Sequence, residues 1–102
     1  MTTPRRGSPV RGSRTGRPIM AVLDQLGRRG TLRILWELRD GRPLTFRALL
    51  AAAETNPSLL NTRLKEMRES GWIDHDEGGY RLSDSGRELY AALTPLVRWA
   101  GS

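Results

Sequence analysis

Asn56-Pro57 and Ser70-Gly71 bracket the stretch that most constrains the fold of this chain. Asn56 is a strong helix N-cap, because its side-chain oxygen accepts from a free amide of the first turn. Pro57 follows at the first helical position, where its missing N–H costs nothing. Leu60, Leu64 and Met67 then recur at helical spacing, and Gly71 after Ser70 supplies a left-handed stop. The pattern predicts one amphipathic helix from about Asn56 to Ser70 with a single buried stripe.

The neighbouring segments carry weaker versions of the same signals. Ile19, Met20, Leu23 and Leu26 predict a short first helix that Gly27 stops. Thr31 is the expected N-cap of a second helix, in which Ile34, Leu35 and Leu38 form the apolar face, Leu32 and Trp36 flank it, and Asp40-Gly41 closes it. Thr45 caps a third helix with Phe46, Leu49, Leu50 and Ala53 inward. After the fourth helix, Trp72-Ile73-Asp74-His75 and Tyr80-Arg81-Leu82 flank Asp76-Glu77-Gly78-Gly79, which predicts a small β-hairpin. Ser83 caps a last helix with Leu89, Leu93, Leu96, Val97 and Ala100 on one side, and Pro95 is expected to kink it or begin a second segment. Two helices a few residues apart, followed at once by a hairpin, predict a mainly α winged helix-turn-helix.

Charge divides the 102 residues unevenly. The net charge is +6, and residues 1–18 hold Arg5, Arg6, Arg11, Arg14 and Arg17 with no acid. Seventeen basic residues less those five leave twelve against eleven acids, so residues 19–102 carry only +1. The same first 18 residues contain three prolines and three glycines and, past the initiator, one aliphatic residue, Val10. Such a segment buries too little apolar area to offset its ordering entropy, and is expected to be a disordered basic tail. One domain is expected over 19–102. Cysteine is absent, which excludes disulfides, thiolate metal sites and thiol redox sensing. No apolar run is long enough to span a membrane, and no apolar core follows the N-terminal arginines as in a secretory signal. These features fit a cytoplasmic, nucleoid-associated protein.

Four segments together resemble the HxlR-type family of winged-helix regulators, within the MarR-like superfamily. They are LGRRGTLRILWELRDG at 26–41, FRALL at 46–50, NPSLLNTRLKEMRESGWI at 56–73 and YRLSDSGRELYAAL at 80–93. The resemblance implies a homodimer on operator DNA, with the third and fourth helices as the helix-turn-helix, the wing beside the adjacent minor groove or backbone, and dimerisation through the first and last helices. Three departures stand out. The cysteine common near the family's N-terminus is missing, the wing is short, and it is acidic, with Asp74, Asp76 and Glu77 against His75 and Arg81.

Read as a groove-docked helix, 56–70 presents Ser58, Thr62, Lys65 and Glu69 opposite the buried stripe. Asn61 and Arg68 lie on one shoulder and Arg63 and Glu66 on the other. Asn61 suits a bidentate contact to adenine, and Ser58 or Thr62 a less selective contact to base edges. Lys65, Arg63 and Arg68 suit phosphates or, for arginine, guanine. Arg63 lies nearest the stripe, which leaves open an internal pairing with an acid instead. An acidic wing tip is repelled by the duplex, so Arg81 on the second strand is the better phosphate contact of the hairpin. The five tail arginines offer another route to sequence-independent affinity, since flexible basic arms suit a narrow minor groove. Ile19, Leu23, Leu93, Leu96 and Trp99 are the expected dimer contacts.

Nothing in the chain forms a catalytic set, so no enzyme and no cofactor are expected. His75, the one histidine, sits between Asp74 and Asp76, but adjacent strand residues point to opposite faces, so a solvated histidine is expected rather than a metal ligand. Trp36, Trp72 and Trp99 are expected in core or interface packing, with an effector pocket at a dimer interface as the other use. The pattern indicates no particular small-molecule effector. Double-stranded DNA and a second copy are therefore the expected partners, and the expected function is transcriptional control, by repression at a pseudo-palindromic operator. A winged helix that mediates protein association, and a low-specificity architectural protein held by its arginine tail, remain open beside it.

Overall fold

The computed structural model describes residues 18–101. Five helices and one hairpin follow in the order α1 (Pro18–Leu26), α2 (Thr31–Glu37), α3 (Phe46–Ala52), α4 (Pro57–Glu69), β1 (Ile73–Asp76), β2 (Gly79–Leu82) and α5 (Asp84–Ala100). This is the winged helix-turn-helix expected from the sequence. The expected tail and its five arginines lie outside the described residues, except that Pro18 is already the first residue of α1 rather than the last of a tail.

The caps explain most of the boundaries. Asn56 accepts from the Leu59 amide at 2.8 Å, Thr45 from Ala48 at 3.1 Å and Ser83 from Gly86 at 3.0 Å. Each satisfies an amide that the first helical turn leaves free. Gly71, with φ 80°, ends α4 as the left-handed stop. The second helix departs from expectation. Its N-cap is Gly30, with φ 93°, and Thr31 is fully buried at the first helical position with its hydroxyl unpartnered. A left-handed glycine turns the chain there without a side-chain cap. The helix also stops at Glu37, with Leu38 as its C-cap, before Asp40-Gly41. In that following turn Asp40 accepts from the amide and guanidinium of Arg42, and the backbone bond above all holds its carboxyl below the usual range.

Leu26, Ile34, Leu35, Leu38, Leu49, Leu60, Leu64, Met67, Trp72, Ile73, Tyr80 and Leu82 form one core. All three stripe residues of α4 are in it. A buried hydrogen bond crosses it, from Ser70 Oγ to Gln25 Oε1 at 2.7 Å, which ties the end of α4 to α1.

The two strands pair antiparallel from Ile73↔Leu82 to Asp76↔Gly79, so Glu77-Gly78 is the two-residue turn and Gly79 belongs to β2. Leu44 adds a third, one-residue strand. Leu44 and Tyr80 exchange both backbone hydrogen bonds, at 2.8 and 2.7 Å. Gly79, with φ 120°, permits this approach, because a Cβ there would sit 2.5 Å from the Leu44 carbonyl oxygen. The wing is thereby sewn to the segment that leads into α3.

Pro95 does not break α5, which runs as one helix to Ala100. Leu89, Tyr90 and Leu93 pack on the core, whereas Leu96, Val97 and Trp99, beyond Pro95, are exposed. The proline removes one backbone donor. The carbonyl it frees belongs to Ala91, an exposed residue.

Candidate nucleic-acid interface

Four residues, 53–56, separate α3 from α4, and Glu54 at their centre takes a left-handed conformation with φ 50°. This turn sets α4 with its stripe inward and the Ser58, Thr62, Lys65 face outward. Ser58, Asn61, Thr62, Lys65 and Arg68 are all exposed. Lys65 and Arg68 have no ion-pair partner among the described residues, and neither does Arg47 on α3. The Asn61 amide is likewise unengaged among them. Thr62 donates its hydroxyl to the Ser58 carbonyl one turn back, at 3.0 Å, which leaves its oxygen as an acceptor.

Arg63 is placed differently. Its side chain is only 16% exposed, its Nε donates to the Arg29 carbonyl at 2.7 Å, and its Nη1 pairs with Glu66 at 3.0 Å. Glu66 also takes Arg28 at 3.1 Å, and Arg28 reaches Asp24 at 3.5 Å. The Arg63 guanidinium is therefore engaged inside the protomer, in the internal pairing that its nearness to the stripe left open. Charged donors on a carbonyl at this distance are among the stronger hydrogen bonds.

The wing carries its acids unevenly. Asp76 accepts from the Gly78 amide at 2.8 Å and pairs with Arg81, so it shapes the turn and is partly neutralised. The same pair occupies Arg81, which must leave Asp76 to meet a phosphate. Asp74 and Glu77 remain exposed. His75 is exposed and stacks flat on Tyr80, with centroids 3.9 Å apart. A cleft of about 590 Å³ separates α4 from β1, lined by Lys65, Arg68, Glu69, Ile73, Asp74 and His75. Among the described residues no group of three or more His, Cys, Asp or Glu side chains could hold a metal.

The apolar surface lies elsewhere. Ile19, Met20 and Leu23 on α1 are each more than half exposed, as are Leu96, Val97 and Trp99 on α5, with Trp99 at 76%. Leu93, expected with them, is half-buried against the protomer's own core. The three tryptophans occupy three settings. Trp72 is core, Trp99 is exposed, and Trp36 is partly exposed with Arg39 stacked on its ring at 3.6 Å. No described helix is long and apolar enough to cross a membrane.

No family model matches the chain. The uncharacterized HTH-type transcriptional regulator YdzF of Bacillus subtilis (strain 168) is 29% identical over 90 residues, which cover 80% of this chain and 83% of YdzF. The crystal structure of quinone-bound YodB from B. subtilis superposes with a TM-score of 0.76 at 25% identity, over 81% of this chain and 94% of that one. Fold, exposed helix and similar proteins define the class: a winged helix-turn-helix, DNA-binding regulator of transcription, and not an enzyme. Within that class the chain is similar in sequence to YdzF, an HTH-type transcriptional regulator, and in fold to YodB.

Proposed function

We propose that this chain is an HxlR-type regulator that binds a pseudo-palindromic operator as a two-fold homodimer and represses transcription there. One observation carries the reading. The outward face of α4 presents Asn61, Lys65 and Arg68 without ion-pair or hydrogen-bond partners among the described residues, on a helix whose other flank is fixed by the core and by Arg63. A helix of this kind, about 10–12 Å across with its side chains, fits a major groove about 12 Å wide. Ser58, Asn61 and Thr62 near its N-terminal end meet base edges, and Lys65 and Arg68 meet phosphates.

The exposed apolar side chains of α1 and α5 support a second copy. Ile19, Met20, Leu23, Leu96, Val97 and Trp99 expose more apolar surface than solvation of a small monomer favours. Pairing α1 and α5 with the same helices of a second chain covers them and sets two copies of α4 on one duplex.

YodB binds a quinone in its crystal structure, which supports a small-molecule effector in this group of proteins. This chain has no cysteine, so it offers a quinone no thiolate to add to. Any quinone response here is non-covalent at sulfur.

The deciding experiment selects bound duplexes from random DNA and measures their binding at two salt concentrations, with sedimentation of the free protein. A symmetric site with half-sites about one helical turn apart is expected, together with a dimer at micromolar concentration. Enrichment of no sequence, or a monomer, overturns the operator reading. Transcription from a promoter carrying the selected site is expected to fall when the protein is added.

A further inference from the structure

The α1–α2 corner lies against the flank of α4 that faces away from the wing. Leu59, Arg63 and Glu66 occupy that flank, about 90° around the helix from the outward face. Glu66 holds the Arg28 guanidinium, and Arg63 holds the Arg29 carbonyl at 2.7 Å. Gly30 comes close enough that a Cβ there would lie 3.9 Å from both Arg63 Cγ and Leu59 Cδ2. Of the two adjacent arginines at the corner, Arg28 is thus spent internally. Arg29 is exposed, and its guanidinium has no partner among the described residues. It stands at a cleft whose other wall is the helix-turn-helix turn, Ala53 to Asn56, and Leu59 at the start of α4.

A helix in the major groove has a phosphate strand on each side of it. The wing and the Lys65–Arg68 cleft flank α4 on one side, and the Arg29 corner flanks it on the other. We infer that Arg29 is a phosphate-binding residue on the strand opposite the wing, and that Arg63 is a positioning residue that fixes the Arg29 backbone beside the groove. This rests on the proposed docking of α4 in DNA. It adds a contact that motif spacing does not reveal, because the residue lies outside the helix-turn-helix. Carbonyl clamping holds the main chain while leaving the guanidinium free, which suits a charge that must meet a fixed phosphate. Glu54, exposed on the cleft's other wall, is the acid among the residues lining the cleft and makes no ion pair with Arg29.

The test measures binding of full-length wild type, Arg29→Gln, Arg29→Lys and Lys65→Ala to two duplexes of about 30 base pairs, one selected by the wild type and one of mixed sequence, across a salt series. Arg29→Gln is expected to lower the slope of log K against log salt by about 0.9 per bound protomer. It should weaken both duplexes alike, by about 8-fold per protomer near 0.1 M salt. Arg29→Lys keeps the slope, and the melting temperature of each Arg29 variant equals that of the wild type. If the wild type and Lys65→Ala behave as DNA binders but Arg29→Gln leaves the slope unchanged, the Arg29 assignment falls and the docking of α4 stands. If the wild type binds neither duplex, both fall. If Glu54→Gln added to Arg29→Gln restores wild-type affinity, Arg29 serves only to offset Glu54, and the assignment is overturned.

Discussion

Gly86→Ala sets two physical rules against each other. Gly86 is the third residue of α5 and is buried. Helix propensity alone favours alanine there by about 1 kcal/mol. The fold opposes it. A Cβ at Gly86 would lie 2.0 Å from the Trp72 carbonyl oxygen and 3.0 Å from its carbon. Ordinary carbon–oxygen contact is about 3.3 Å or more, so the start of α5 must withdraw by more than about 1 Å. Withdrawal pulls apart the Ser83 N–H to Trp72 carbonyl bond, now 3.0 Å, and loosens the Ser83 hydroxyl, which donates to the Gly71 carbonyl and accepts from Gly86. A stranded carbonyl costs about 1–3 kcal/mol, the cap about 1 kcal/mol, and strain in the packed site about 1–3 kcal/mol. Against the propensity gain, the middle of these ranges gives a net loss of about 4 kcal/mol. For a domain of this size that lowers the melting temperature by about 15 °C or more. In urea, with a slope of about 1.5 kcal/mol/M, the midpoint falls by more than about 2 M. Both are measured at one protein concentration, since any self-association couples to stability. Gly27→Ala is the control. A Cβ there meets only ordinary contact, 3.4 Å from the Leu23 carbonyl, and the midpoint should hold or rise. A Gly86→Ala protein as stable as the wild type would refute the close approach of α5 to Trp72.

Further outcomes follow from the same structure. Asn56→Ala removes the cap on α4 and should lower stability by about 1 kcal/mol, read by urea unfolding. Arg63→Ala strands the Arg29 carbonyl and leaves Glu66 with Arg28 alone, and should lower stability by about 1–2 kcal/mol in the same assay. Lys65→Ala should weaken binding to all duplexes alike, whereas Asn61→Ala should relax preference at one base pair, both read by repeating the selection from random DNA. Leu23→Glu with Trp99→Glu places charge on the exposed apolar face, and should yield a monomer by sedimentation with unchanged helical circular dichroism. Removing residues 1–17 should lower the salt slope of DNA binding if the five tail arginines meet phosphates, and an unchanged slope assigns them no such role.

Which features were legible in the sequence follows the range of the interactions behind them. The caps at Thr45, Asn56 and Ser83 act over three residues, and spacing alone located them. The α4 stripe and the hairpin are equally local. Thr31 misled because a threonine before an apolar run looks like a cap, while the turn is made by the left-handed Gly30 and Thr31 is buried by tertiary packing. Pro95 begins no second segment, because the cost of a helical proline depends on what surrounds the freed carbonyl, and that part of α5 lies off the core. Periodicity found the apolar residues of α1 but could not say that Ala21, Gln25 and Leu26 face the core while Ile19 and Leu23 face outward. The engagement of Arg63 is the least readable of all, since its acceptor at Arg29 lies 34 residues away.

The double hydrogen bond between Leu44 and Tyr80 has a mechanical consequence. It removes the swivel that a two-stranded hairpin on a flexible stalk would have. Wing, α3 and α4 then translate and rotate as one body, so a ligand that loosens or tightens this protein on DNA has little to adjust within a single protomer. In the proposed dimer, what is left to adjust is the separation and tilt of two such bodies. The natural place to look for a switch is therefore the exposed apolar side chains of α1 and α5, where the proposed dimer would close.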